Sequence, residues 1–523
     1  MRAYRLTALA AAMLALGACD QVGIGGGGGG SGASEAAPQI AAADIQAAVE
    51  DPRVRRFYEA RQWQPVWSGA AEEQLTQALN ESPRHGLDRQ RVQNGIGGEP
   101  GSAAREASLT LAAINYAEAL ARGATDPKRS HEVYELPRPE VDVAGGLAGA
   151  VEAGNVGEWL NGLAPQDAEY KALSDAYVRY AEAASQQQAA PIPPGDSIHP
   201  GDNDPRVPAI AAALRAHGYL STPQPPAEGQ QAQPQQAQAG TAFTPELAAA
   251  VRRVQQDYGM EPDGVVGNGT LDVLNATARD RARALAVNLE RRRWLPRTAP
   301  ETRIDVNTAS AMLDYWRDGR LANTRRVMVG QPGWETPALL SPMVRLVANP
   351  PWTVPSSIEE EELAPKGAAY LARNGFTRRN GRLVQRPGPD SALGLVKFDM
   401  QNSHAIYLHD TPAKAGFQRD ERHMSHGCVR VHDAVGFATM LAEHDGQRAQ
   451  FERALQREGQ EGAINLKKEI PVRLLYHTAF LQGDRVLFRA DAYGWDEQVA
   501  AQLGLPARER QLLRQRHTED VGP

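Results

Sequence analysis

Two stretches hold the side chains that could do covalent chemistry: Ala405-Ile406-Tyr407-Leu408-His409-Asp410-Thr411-Pro412 and Met424-Ser425-His426-Gly427-Cys428-Val429-Arg430-Val431. Cys428 is the candidate nucleophile and His409 the candidate base. A free thiol has a pKa of about 8.5 and is only a few per cent thiolate at neutral pH. An imidazole that takes its proton makes it competent. Gly427 lets a substrate carbonyl approach the backbone closely, and the amides around it can form an oxyanion hole, each donor worth about 3–4 kcal/mol in the transition state.

These groups need elements that place them. Ile406 and Leu408 alternate with Tyr407 and His409, which predicts a strand over 405–409 with Tyr407 and His409 on one face. Asp410 then faces away from His409, so a backbone carbonyl is expected to fix the imidazole tautomer. Asp433 reads as the N-cap of a helix whose Ala434, Ala438 and Leu441 form an apolar face. Cys428 is then expected shortly before a helix N-terminus, whose partial positive charge favours the thiolate. His404, His409, His423, His426 and His432 cluster with Cys428, so a zinc site is arguable, but structural sites usually use two cysteines and no second one stands nearby.

His409, the Ser425-His426-Gly427-Cys428 run and Arg430 resemble the signature of the L,D-transpeptidase catalytic domain. GLVKFDMQNSHAIYLHDTP, ARNGF, RPGPDSALG and NPPWTVP are similar to the large periplasmic members. The resemblance implies a Cys428 nucleophile, a His409 base, Tyr407 in the site, oxyanion amides from Gly427 and Cys428, and no metal or cofactor. His426 and Arg430, with Ser425, would shape the pocket or hold substrate carboxylates. It also implies peptidoglycan tetrapeptide stems as donor and acceptor, loss of a terminal D-alanine, a 3→3 crosslink, acylation of the cysteine by carbapenems, and cell-wall synthases as candidate partners. The same thioester given to water would make an L,D-carboxypeptidase, and its reversal would cleave a protein–peptidoglycan link. A non-catalytic peptidoglycan tether is the alternative from another class.

The rest of the chain reads as an α+β multidomain protein. Its 523 residues suggest three or four domains at about 150 residues each. Lys plus Arg number 56 against 63 Asp plus Glu, a formal charge of −7 that lacks the basic field nucleic-acid binding requires. Only Cys19 and Cys428 are present, which excludes a disulfide framework. No run reaches the roughly 18 apolar residues of a membrane span. Residues 1–18 read as a signal peptide with Arg2 and Arg5 at its start. Leu16-Gly17-Ala18-Cys19 resembles a lipobox, which implies a lipid-modified Cys19, a periplasmic lipoprotein and membrane contact through that anchor alone. Residues 19–40 form a Gly-rich tether.

Residues 41–195 space apolar positions as helices and are expected to form a scaffold. Residues 201–277 resemble a three-helix peptidoglycan-binding module: a helix over 206–220, one opened by Thr244-Pro245, and a short third over 269–274. An 18-residue insert at 223–240, with seven Gln and four Pro, is expected to be a disordered loop. Residues 278–490 are expected to be the mostly-β catalytic domain, with a basic helix over 279–293 and a helical lid insertion over 358–376. Residues 491–523 read as a C-terminal helical tail.

Overall fold

The structure is a computed structural model that describes residues 40–185, 190–221 and 240–508. The expected signal peptide, Cys19 and nearly all of the tether lie outside the described residues. So do the insert apart from Gly240 and the end of the tail.

Helices fill 42–184, the longest being Ala103–Arg122 and Ala168–Ala184. Their starts follow the sequence: Ser102 and Asp167 each accept a hydrogen bond from the amide three residues on. Near 201–277 lie the three expected helices, Val207–Ala216, Pro245–Asp257 and Asn268–Asn275, with Thr244 capping the second.

Strand β1 (Tyr134–Glu135) leaves the helical region and pairs in parallel with β5 (Ala338–Ala348). The catalytic region adds β2 (Arg303–Asn307), β3 (Met312–Arg317) and β4 (Arg320–Gly330). A lid follows with β6 (Trp352–Thr353), β7 (Phe376–Arg379) and β8 (Arg382–Gln385). After the lid come β9 (Val396–Met400), β10 (Leu408–His409), β11 (His423–Ser425), β12 (Val429–Val431) and β13 (Gly462–Leu475). Strands β14 (Ala479–Gln482) and β15 (Arg485–Phe488) form a separate hairpin. The main sheet runs β1-β5-β13-β2-β3-β4-β12-β10-β9, and β9 also pairs with β5, so the sheet closes on itself. Ile304, Val306, Leu346, Phe398, Leu408 and Val429 fill its interior with Phe437 of helix Ala434–His444.

Three expectations are corrected. Helix Ala278–Trp294 does not belong to the catalytic β region: its Leu285, Val287, Leu289 and Trp294 are buried in the core of the helical region. Its Arg281, Arg283, Arg291 and Arg293 are all buried. The lid is not purely helical: short helical turns over 356–373 pack on a three-stranded β6-β8-β7 sheet, because Trp352, Phe376 and Leu383 need a common apolar face. The strand expected at 405–409 is cut to Leu408–His409, because Ala405 adopts a left-handed φ of 55° that breaks the extended run.

Candidate active site

Strands β10 and β12 run parallel, pairing Leu408 with Val429 and His409 with Arg430. One step back, the Val429 amide donates to the Tyr407 carbonyl at 3.1 Å. Alternation buries Leu408 and Val429 in the sheet interior and puts Tyr407, His409, Cys428 and Arg430 on the other face. His409 and Cys428 are therefore diagonal neighbours, and the rings of Tyr407 and His409 lie 5.6 Å apart. The shortened strand still delivers the expected shared face.

His409 is fully buried, and its Nδ1 lies 2.5 Å from the carbonyl oxygen of Asp410. A carbonyl only accepts, so Nδ1 carries the proton and the neutral ring keeps its lone pair on Nε2. That Nε2 is buried and has no hydrogen-bond partner. Asp410 contributes only its backbone oxygen: its carboxylate accepts from the Leu395 amide at 3.0 Å and pairs with Lys414. Burial, then the charge of Arg430, hold the imidazole pKa down to about 3, and Lys397, opposite His409 on β9, pushes the same way. The base thus waits neutral.

Cys428 is buried, and burial pushes its thiol up from the ordinary value. The Tyr407 amide, Lys397, the Tyr407 hydroxyl and Arg430 each oppose that shift. The helix contributes less than expected. Strand β12 separates Cys428 from helix Ala434–His444, whose N-terminus is capped by Asp433 onto the Gly436 amide, and the macrodipole falls off within the first turn. The charges that favour the thiolate come from Lys397 and Arg430 instead.

The loop between β11 and β12 is held from several sides. The Ser425 hydroxyl donates to the Cys428 carbonyl at 2.6 Å and accepts from the Gly427 amide at 3.2 Å. Ser425 is fully buried, so it is a tie within the loop rather than a group that meets substrate. The Gly427 amide is engaged by that tie, which leaves the Cys428 amide as the candidate oxyanion donor. Gly427 has a φ of 106°, in the range that favours glycine. Its carbonyl accepts from Thr336 Oγ1 at 2.8 Å, and Thr336 Oγ1 accepts from the Gly330 amide at 2.8 Å. Tyr493 donates to the Gly330 carbonyl at 2.7 Å.

His426 Nε2 lies 2.6 Å from Glu362 Oε1 of the lid, and its ring meets Trp334 edge-on at 4.9 Å. It links the lid to the loop. Arg430 is 2% exposed, with Nη1 3.9 Å from the sulfur of Met328, so it acts on His409 and Cys428 through its charge rather than by contact with a carboxylate from solvent. Tyr407 is half-buried between the sheet interior and the lid core, with the Lys397 ammonium 4.3 Å from its ring centre. Among the described residues, no three of His, Cys, Asp and Glu group to hold a metal ion.

Sequence reasoning missed Glu362, Thr336, Tyr493 and Lys397. Glu362 and Thr336 reach the loop across 64 and 91 residues, and Tyr493 reaches Gly330 across 163, with no local spacing to announce them. Lys397 had a signal in the strand VKFDM, but only the β9–β10 register brings it to His409.

Comparison with known families agrees with this geometry. Residues 301–448 match the model of the YkuD family, the L,D-transpeptidase catalytic domain. Residues 52–176 match a scaffold domain, and residues 203–274 a "Putative peptidoglycan binding domain". A Haemophilus influenzae protein named "Putative L,D-transpeptidase" is 32% identical over 238 residues, 41% of this chain and 48% of the relative. The chain thus spans about half the length of that curated relative. Among solved structures, an L,D-transpeptidase from Stackebrandtia nassauensis is 13% identical with a TM-score of 0.23, covering 55% of this chain and 97% of its own. One from Mycobacterium smegmatis is 13% identical with a TM-score of 0.19, covering 33% and 58%. The sequence matches and the site geometry meet on one conclusion: residues 301–448 form an L,D-transpeptidase catalytic domain of the YkuD family, carried beside a scaffold and a peptidoglycan-binding module.

Proposed function

We propose that this chain is an L,D-transpeptidase that forms 3→3 peptidoglycan crosslinks through a thioester on Cys428. The observation that carries the reading is the tautomer of His409: Nδ1–H is spent on the Asp410 carbonyl, and Nε2 is buried without a partner on a residue that the β10–β12 register sets diagonal to Cys428. As a tetrapeptide stem enters, Cys428 Sγ attacks the carbonyl at the L-centre of the third residue while His409 Nε2 takes the thiol proton. The C–N bond to the terminal D-alanine breaks, and His409 returns the proton to the departing amine. Lys397 and Arg430 stabilise the transient thiolate, and the Cys428 amide faces the developing oxyanion. The amine of a second stem then attacks the thioester: a C–N bond forms, the C–S bond breaks, and the proton passes through His409 to the sulfur.

In favour of acyl transfer over hydrolysis, Glu362 on His426 ties the lid to the loop, which limits water on that side of the thioester. By its lipobox-like Cys19 the protein is a lipoprotein of the periplasm, held to a membrane by its N-terminus. The test is the intact mass of the chain after incubation with a carbapenem. The reading requires one covalent adduct, lost in Cys428→Ala and slowed in His409→Ala. An unchanged mass would falsify the nucleophile assignment.

A further inference from the structure

On the outer face of the closed sheet, β2, β3 and β13 form the floor of a cleft of about 600 Å³, within the range of about 300–1,000 Å³ typical of small-molecule sites. Alternation along β2 sets Ile304 and Val306 into the sheet interior and turns Arg303, Asp305 and Asn307 outward. The start of helix Ala168–Ala184 and the end of helix Ala278–Trp294 make one wall, and β14 with its turn makes the other. The lining draws on no residue of 405–431 and none of the 203–274 module.

The cleft is rich in charge, yet its charges answer one another. Arg292 pairs with Asp167 at 3.1 Å and Glu169 at 2.8 Å, while Arg303 and Arg473 share Asp305 at 2.8 and 2.6 Å. Arg297 donates to the Leu120 and Leu163 carbonyls at 2.9 and 3.0 Å. An anionic ligand would have to displace these partners. Two polar groups keep spare capacity. His477 is 6% exposed, and neither of its ring nitrogens has a hydrogen-bond partner among the described residues. Its backbone is fixed by Asn307, whose side chain donates to the His477 carbonyl and accepts from its amide, both at 3.0 Å. Burial, then the charges of Arg292, Arg291 and Arg473, keep the ring neutral, so it offers one donor and one acceptor. A ring unpaired at that depth is costly unless something in the cleft meets it. Asp314 accepts from the Thr324 hydroxyl at 2.7 Å and forms no ion pair with a described residue.

The rest of the lining is aromatic and apolar. Trp316 and Phe480 are partly exposed, and a guanidinium steadies each ring: Arg303 lies 4.5 Å from the centre of Trp316, and Arg489 5.2 Å from that of Phe480. Leu321, the register partner of Trp316, is 52% exposed. Flat apolar surface beside groups that donate and accept without net charge suits a ligand with an apolar face and a polar edge. A sugar ring has that chemistry. We propose that this cleft binds an uncharged N-acetylated sugar of a glycan strand. The apolar face of the sugar lies against Trp316 and Leu321, while His477 and Asp314 take its hydroxyl and acetamido groups. The contact holds a strand on the catalytic region itself, apart from the reacting stems. The choice of glycan rests on the transpeptidase reading.

The test titrates the full chain with the N-acetylglucosamine tetramer, read by calorimetry and by NMR of the histidine rings. The His477 ring signal, identified by its loss in His477→Gln, should shift as the sugar is added. Trp316→Ala and Asp314→Asn should each weaken that binding at least about tenfold, and Trp316→Phe should restore most of it. Carbapenem acylation of Cys428 should stay at the wild-type rate in all three. Wild-type affinity in Trp316→Ala overturns the proposal, as does a His477 signal that ignores the sugar in the folded wild-type chain. A sugar-free tripeptide stem that shifts the His477 signal where the tetramer does not overturns the ligand class. A wild-type chain that binds the tetramer here but is not acylated removes the transpeptidase reading and leaves the sugar site.

Discussion

Helix Ala278–Trp294 and the Ser425–Cys428 loop both bury ionisable groups, and they treat them in opposite ways. In the helix, Arg293 meets Glu290 at 2.6 Å, Arg291 meets Asp496 at 2.5 Å, and Arg283 meets Glu497 at 2.6 Å. Glu290 also accepts from the Thr125 amide and hydroxyl and from the Trp294 indole. Those ion pairs tie helix Ala278–Trp294 together and hold it to the C-terminal helix Trp495–Leu503. In the loop, burial neutralises instead: His409 is driven down, Cys428 is driven up, and Nε2 is left without a partner. A buried group with its partner in place holds the fold, whereas one kept waiting can take part in a reaction.

The largest expected effect falls on the loop. Cys428→Ala should take adduct formation and turnover below detection while leaving the melting temperature within a few degrees of wild type, because only a sulfur is removed. Residual turnover would mean that another group carries the chemistry. The buried helix should respond the other way. Glu290→Ala leaves Arg293 buried beside no carboxylate and should cost about 3–5 kcal/mol of stability, while acylation per folded molecule stays near wild type. A loss below about 1 kcal/mol in denaturant melts would contradict the contrast.

A third comparison uses pH. In the fold His85, His131, His217 and His409 are held down to about 3, chiefly by burial, whereas unfolded histidines titrate near about 6.5. The unfolded chain therefore binds protons first, and stability, full above pH 6.5, declines as pH falls from 6.5 toward 3. Melting should drop steadily across that window. Acylation, in contrast, should still be climbing above pH 9, because burial pushes the thiol up from its ordinary value, with no step near 6.5. A step at 6.5 would mean that His409 titrates as an ordinary histidine. The smallest effect is expected at the lid: Glu362→Gln removes a partly exposed pair worth less than about 1 kcal/mol, so acylation should shift by only a few-fold.

What could be read from the sequence was local. The alternation of Ile406, Tyr407, Leu408 and His409 places the base, and the same parity turns the Asp410 side chain away and calls for a backbone carbonyl, which in the structure is that of Asp410. The Thr244-Pro245 helix start is likewise a short-range signal. What failed depended on distant partners. The basic helix over 279–293 reads as part of the catalytic domain because Asp496 and Glu497, its partners in the fold, lie more than 200 residues away. The helix after Asp433 could be read, but not the strand β12 that separates it from Cys428.

The most direct test of the account is the product spectrum after incubating the full chain with purified disaccharide-tetrapeptide. The account predicts a dimer lighter than two monomers by one D-alanine residue plus water, formed through a transient adduct on Cys428. Tripeptide monomer alone would make water the acceptor and the protein a carboxypeptidase. No change of either substrate or enzyme mass, with the chain folded, would contradict the account.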